Sequence, residues 1–173
     1  MRLYEILMSD TIIVSIKNNL DYLLEIIPEI KFMIGFEHKH PHHHLDVWNH
    51  TLLALSLSEK NFDVRLSLLL HDIGKPFSYQ GSDNIRHFRG HPVVSSNMAR
   101  NILKRLGFSN DYIDKICFYI KNHDTPMSDE FINKNRVDAL NLYKIQKCDA
   151  LAHNPEKLEK RKQYLKMIYN KLN

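Results

Sequence analysis

The chain has 173 residues, 43% hydrophobic and 25% charged, with a net charge of +4 and a pI of about 9.0. That is enough chain for one ordinary hydrophobic core, and the balance excludes a disordered or fibrous protein. No apolar run approaches the roughly 20 residues that span a bilayer. The start, "MRLYEILMSD", has early acids and no clean apolar stretch of a signal peptide. Cys117 and Cys148 lie far apart within apolar patterns, as reduced core thiols of a cytoplasmic protein would. The mild positive charge permits an anionic partner. Much of it sits in the last segment, "EKLEKRKQYLKMIYNKLN", where a solvated helix face accounts for it. The unusual count is eleven histidines.

Glycine is scarce and no stretch alternates like a strand, so the pattern is helical nearly throughout. "TIIVSIKNNLDYLLEII" has helical spacing and ends before Pro28. A histidine-rich loop, "EHKHPHHH", follows. "LDVWNHTLLALSLSEK" predicts a helix with Val47, Ala54 and Leu57 on one face. "FDVRLSLLLHDIG" is apolar almost all round and predicts a central buried helix, stopped by Gly74 and Pro76. Residues 77–90 read as a polar loop. Pro92 suits the first turn of a helix running to about Leu106. Ser109 caps "DYIDKICFYIKNHD". A short helical piece near Asp129–Asn133 precedes the long "RVDALNLYKIQKCDALAHN", and Pro155 opens the last helix. The expectation is one all-α domain of about seven helices, a bundle.

"LLLHDIGKP", residues 68–76, is a leucine run that ends in His71 and Asp72. Buried polar groups are costly unless hydrogen-bonded, paired or bound to metal. Residues three and four apart share a helix face. His50 shares one with Val47, Leu53, Ala54 and Leu57. His91 continues Ser95, Met98 and Ile102. His123 continues Ile113, Ile116 and Ile120. Asp149 lies in the stripe Leu142, Ile145, Ala152. Any one of these alone reads as an ordinary core residue. Together, four imidazoles and two carboxylates converging inward have the composition of a transition-metal site.

The order His50, His71-Asp72, Asp149 resembles the H…HD…D signature of the HD-domain metal-dependent phosphohydrolase superfamily. "HHHLDVWNHTLLAL", "LLLHDIGKP", "HFRGHPVVSSNMARNILKRLGF" and "KCDALAHN" are similar to the C-terminal HD domain of some bacterial CCA-adding tRNA nucleotidyltransferases and to stand-alone relatives. The resemblance covers residues from about 20 to 155, leaving 155–172 as a C-terminal helix. Those transferases also carry an N-terminal catalytic domain, for which this chain has neither the length nor the glycines. The resemblance therefore implies the hydrolase-type domain without nucleotide addition.

By the family pattern, His50, His71, Asp72 and Asp149 would hold one divalent ion. Imidazole with carboxylate suits manganese, iron, nickel, cobalt or zinc. His91 and His123 match members with a second ion, which Asp72 would bridge. The implied activity is hydrolysis of a phosphomonoester or phosphodiester of a nucleotide-type small molecule by metal-activated water, with Asp72 and Lys75 catalytic. Arg86 and Arg89 are expected to contact phosphate. His43 or His44 is expected to line the mouth of the site, His87 and His153 to support it, and Asp124 to orient a ligand histidine. The alternative is an HD module that retains metal and binds RNA without catalysis, through Lys160, Arg161, Lys166, Tyr164 and Tyr169. A third reading is an adaptor with an inert polar core. The sequence leaves the oligomeric state open.

Overall fold

The computed structural model describes residues 2–39, 44–82 and 85–172. It is all-α apart from one short hairpin, with eleven α-helices among the described residues rather than about seven. An unexpected α1 (Arg2–Leu7) comes first, and α2 (Ile12–Asn18) and α3 (Leu20–Ile26) replace the single helix expected before Pro28. The break falls at Asn19. Its side-chain amide donates to the Ser15 carbonyl at 2.8 Å while its Oδ1 accepts from the Arg2 guanidinium at 2.7 Å. An amide that bonds the backbone in this way competes with the helical ladder.

Helix α4 (Val47–Ser56) is shorter than expected, because Asp46 is its cap and accepts from the Asn49 amide at 2.7 Å. At its other end Leu57 is the C-cap and is 45% exposed instead of joining the core face. Helix α5 (Phe62–Leu70) is the buried centre the leucines predict: every residue from Val64 to Leu70 is buried. Each of its leucines contributes about 2 kcal/mol of burial. Arg65 is the polar exception, and the carbonyls of Leu7 and Ser9 accept from its Nη1 at 2.7 and 2.9 Å.

After α5 the chain turns through residues 71–74 into the single-turn α6 (Lys75–Ser78). The expected polar loop then contains an antiparallel hairpin, β1 (Gln80–Ser82) with β2 (Ile85–His87). Gly90, at φ 79°, reverses the chain into α7 (His91–Arg105). Helix α8 (Asn110–Lys121) begins at the Ser109 cap, as its sequence predicts, and packs along α7. The two are cross-tied where Ser96 Oγ donates to the Cys117 carbonyl and Cys117 Sγ to that of Ser96. Both cysteines are free and buried. Helices α9 (Asp129–Lys134) and α10 (Arg136–Leu151), a 3₁₀ turn at Pro155–Lys157, and α11 (Glu159–Leu172) complete the chain. No described helix is long and apolar enough to cross a membrane.

Gly74 does more than stop a helix. A Cβ there would lie 2.5 Å from the Ser95 nitrogen and 2.9 Å from the Val94 carbonyl carbon. The backbone of α7 rests directly on it, and the Gly74 amide donates to Ser95 Oγ at 2.9 Å. Gly74→Ala must push α7, and His91 with it, away from Asp72. The expected loss is about 1–3 kcal/mol of stability by overpacking, measured by urea unfolding, with weaker cation binding in the folded fraction.

Candidate metal centre

Asp72 is fully buried where α5, α7, α8 and α10 meet. One carboxylate oxygen faces each of two groups of side chains. Oδ2 lies 3.2 Å from His71 Nε2 and 3.6 Å from His50 Nε2. Asp149 Oδ1 completes that group, 3.0 Å from His50 Nε2 and 3.6 Å from His71 Nε2. Asp72 Oδ1 lies 3.3 Å from His91 Nε2 and 3.9 Å from His123 Nε2. All six residues that the helical faces singled out are thus brought together.

Backbone carbonyls set the histidine tautomers. Nδ1 of His71, His91 and His123 meets the carbonyl three residues earlier, at 2.7, 2.8 and 2.7 Å. Nδ1 of His50 meets the Ala152 carbonyl at 3.2 Å. A carbonyl only accepts, so Nδ1 must carry the hydrogen. In a neutral ring the Nε2 lone pair then points at Asp72, the arrangement usual for a metal-ligating histidine.

The donors fit a cation. Ligands about 2.1 Å from one ion lie about 3.0–3.4 Å apart along the edges of an octahedron or tetrahedron. In the first group the His71–Asp72 and His50–Asp149 spacings, 3.2 and 3.0 Å, match those edges, and the other two, at 3.6 Å, are longer. In the second group, the Nε2 atoms of His91 and His123 face each other at 3.2 Å, a contact that needs a proton or a cation between two lone pairs. Both Asp72 oxygens and His71 Nε2 are buried without a directed hydrogen bond. That costs stability unless something charged meets them.

Charge inside the centre is shared unevenly. Burial alone would strip His71 of its proton. The Asp72 and Asp149 carboxylates outweigh it and push its pKa up to about 10. For Asp72, burial opposes ionisation, but His71 and Lys75 hold it well below the usual carboxylate range. His123 is lowered to about 4 by burial and by the neighbouring His71 charge.

Lys75 is buried rather than a solvated helix-end lysine. Its Nζ lies 2.7 Å from Asp72 Oδ2 and 3.1 Å from His38 Nε2. His38 donates Nδ1–H to the Leu45 carbonyl at 2.8 Å, and burial, then Lys75, lowers its pKa to about 2. It therefore accepts from Lys75. Sequence reasoning placed His38 only within a histidine-rich loop; nothing in "EHKHPHHH" marks His38 as turned inward.

The centre opens onto a cavity of about 550 Å³, lined by His91, His123 and Asp149 together with Lys75, Arg89 and Arg161. The RNA-binding alternative places Arg161 on an outer surface. Instead its Nη1 reaches Asp149 Oδ2 at 3.4 Å and His153 Nε2 at 3.3 Å.

The HD domain profile matches residues 42–166, most of the chain. The chain belongs to the HD domain family. Among curated relatives, the CC-adding tRNA nucleotidyltransferase of Thermus thermophilus is 30% identical over 111 residues, 60% of this chain and 25% of the relative. The A-adding tRNA nucleotidyltransferase of Deinococcus radiodurans is 32% identical over 107 residues, 54% of this chain and 25% of the relative. The chain thus spans about a quarter of the length of these relatives.

Three expected contacts of the HD domain fall elsewhere. Arg86 donates to the Glu37 carbonyl at 2.9 Å and stacks on Phe36 and Tyr79, so the hairpin spends its charge away from the cavity. His44 is exposed and lines a separate shallow depression beside Glu37 and Lys39. Tyr164 is tied down rather than presented to a partner: its hydroxyl donates to Gln146 Oε1 at 3.0 Å and accepts from the Met127 amide at 2.9 Å. Gln146 in turn donates to the Asn122 and Thr125 carbonyls, which holds the turn carrying His123 against α10. Arg89, His87, His153 and Asp124 do line the cavity. His43 lies outside the described residues.

Two outcomes check the centre. Elemental mass spectrometry should find two transition-metal ions per chain, none in Asp72→Ala and one in His123→Ala. Loading the metal-free protein at pH 8 should release about one proton from His71, read by calorimetry in buffers of different ionisation enthalpy. Because His71 is protonated below about 10 when metal-free, affinity should fall as pH falls.

Proposed function

We propose that this HD domain hydrolyses a phosphate ester of nucleotide type with divalent transition metals, two ions for which Asp72 would be a shared ligand. The observation that carries the reading is the buried Asp72 carboxylate with one oxygen toward each group of inward-facing Nε2 atoms, opening on a cavity lined by cationic side chains. Membership of the HD family supports it, since such domains are typically metal-dependent phosphohydrolases. His50, His71, Asp72 and Asp149 would hold one ion, and Asp72, His91 and His123 the other. When bound, the ions supply an acidified water and positive charge against the phosphate oxygens.

The side chains do the rest. The carbonyl clamps keep each Nε2 aimed before substrate arrives, so no reorganisation is needed on binding. Lys75 Nζ, steered by His38, donates to a phosphate oxygen or protonates the departing oxygen. Arg89, on the turn before α7, lines the cavity and would meet a phosphate oxygen of the substrate away from the reacting group. The buried wall of α5 keeps bulk water from the far side of Asp72, which strengthens every charge interaction there. Cyclic phosphodiesters and nucleotide monophosphates are the first substrates to try. Two free cysteines and the absence of a membrane-crossing helix among the described residues support a cytoplasmic setting.

Asp72→Ala should abolish hydrolysis while circular dichroism stays helical. Lys75→Met should keep its cations yet lose about 10²–10³ in kcat, the effect of removing one charge-stabilising donor. Full activity in either variant would remove the mechanism.

A further inference from the structure

We propose that the substrate carries a second phosphate group, held by Arg89, Lys160 and Arg161 apart from the phosphate that reacts at Asp72. The inference rests on the phosphate-ester reading of the centre and specifies its substrate class.

The lining of the cavity is cationic beyond what its own carboxylates balance. Lys75 is matched by Asp72 at 2.7 Å. Arg161 leans on Asp149 at 3.4 Å, too long for a strong charge-assisted hydrogen bond. Arg89 and Lys160 form no ion pair among the described residues, and the one other carboxylate of the lining is Asp124. A cation bound at Asp72 only widens the imbalance. One phosphate at the centre would answer the charge there and leave the rest of the lining unmet.

Arg161 is built to receive an anion. Both of its contacts, to Asp149 and to His153, use Nη1. They fix the guanidinium, while Nε and Nη2 make no contact among the described residues. A fork anchored at one corner with its other donors open is suited to phosphate oxygens. His153 assists as a neutral acceptor: its Nδ1–H is committed to the Asp149 carbonyl at 2.7 Å, so Nε2 takes a hydrogen from Arg161. Buried Leu158 pins the start of α11 beside the cavity, so Lys160 and Arg161 in its first turn both line it. The cavity, about 550 Å³, is within the usual range for whole small-molecule ligands and larger than a lone phosphate needs.

The test is calorimetric binding to the full chain, with cation content measured in the same samples. The probes are a nucleoside 5′-monophosphate, the α,β-methylene nucleoside 5′-diphosphate and a nucleoside 3′,5′-bisphosphate. Products are checked after each titration. A two-phosphate ligand should bind at least about tenfold tighter than the monophosphate. That advantage should shrink to about twofold in Arg89→Gln/Lys160→Gln, whose exposed changes leave the Asp72 ligands intact. Preference for the methylene diphosphate places the two phosphates on neighbouring atoms; preference for the bisphosphate places them across the ribose. Equal affinities in the wild type, or an advantage that survives in the double variant, overturn the proposal. Tight two-phosphate binding without hydrolysis of any substrate would sink the hydrolase reading and leave this site standing. Hydrolysis of monophosphate with no two-phosphate preference would do the reverse.

Discussion

The structure is organised around one costly act, the full burial of the Asp72 carboxylate. An isolated buried charge costs several kcal/mol, and removing a partner from such a site is strongly destabilising. Every element that reaches Asp72 brings compensation. Helix α4 brings His50, α7 His91, the turn after α8 His123, the turn after α5 His71, and α6 Lys75. Gly74 lets α7 approach closely enough for His91 to take part. The leucines of α5 supply the burial that holds so much polarity in place.

The ends of the helices do double duty. A helix leaves its last carbonyls without intrahelical partners. The Leu68 and Ile120 carbonyls, in the last turns of α5 and α8, take Nδ1–H of His71 and His123. The same bonds satisfy helix ends and aim Nε2 at the centre. A histidine placed three residues past the right carbonyl is thereby both a helix terminator and an oriented donor. The relation is local, which is why His71 and His123 fall at helix ends.

Outside that ring, two links connect distant parts of the chain to the centre. His38 reaches Lys75 from the histidine-rich segment, so the entry to α4 bears on the lysine beside Asp72. The Gln146–Tyr164 pair ties the His123 turn, α10 and α11 into one polar joint. Through that joint and through Arg161, α11 becomes a wall of the cavity rather than a separate solvated helix.

The six converging side chains were legible in the sequence because helical periodicity reports which residues share a buried face, and imidazoles on such faces are rare without cause. The helical class, the Ser109 cap and the buried α5 were legible for the same reason: they depend on residues within a turn or two of one another. Periodicity does not report what a side chain meets across the fold. Asn19 breaks a helix with help from Arg2, seventeen residues away. Arg86 is spent on Phe36 and Glu37, and Arg161 turns from the solvated face to Asp149. His38, in the histidine-rich segment, meets Lys75. Long flexible cations and loop histidines carry no periodic signal, so only tertiary packing decided which of them reach the centre.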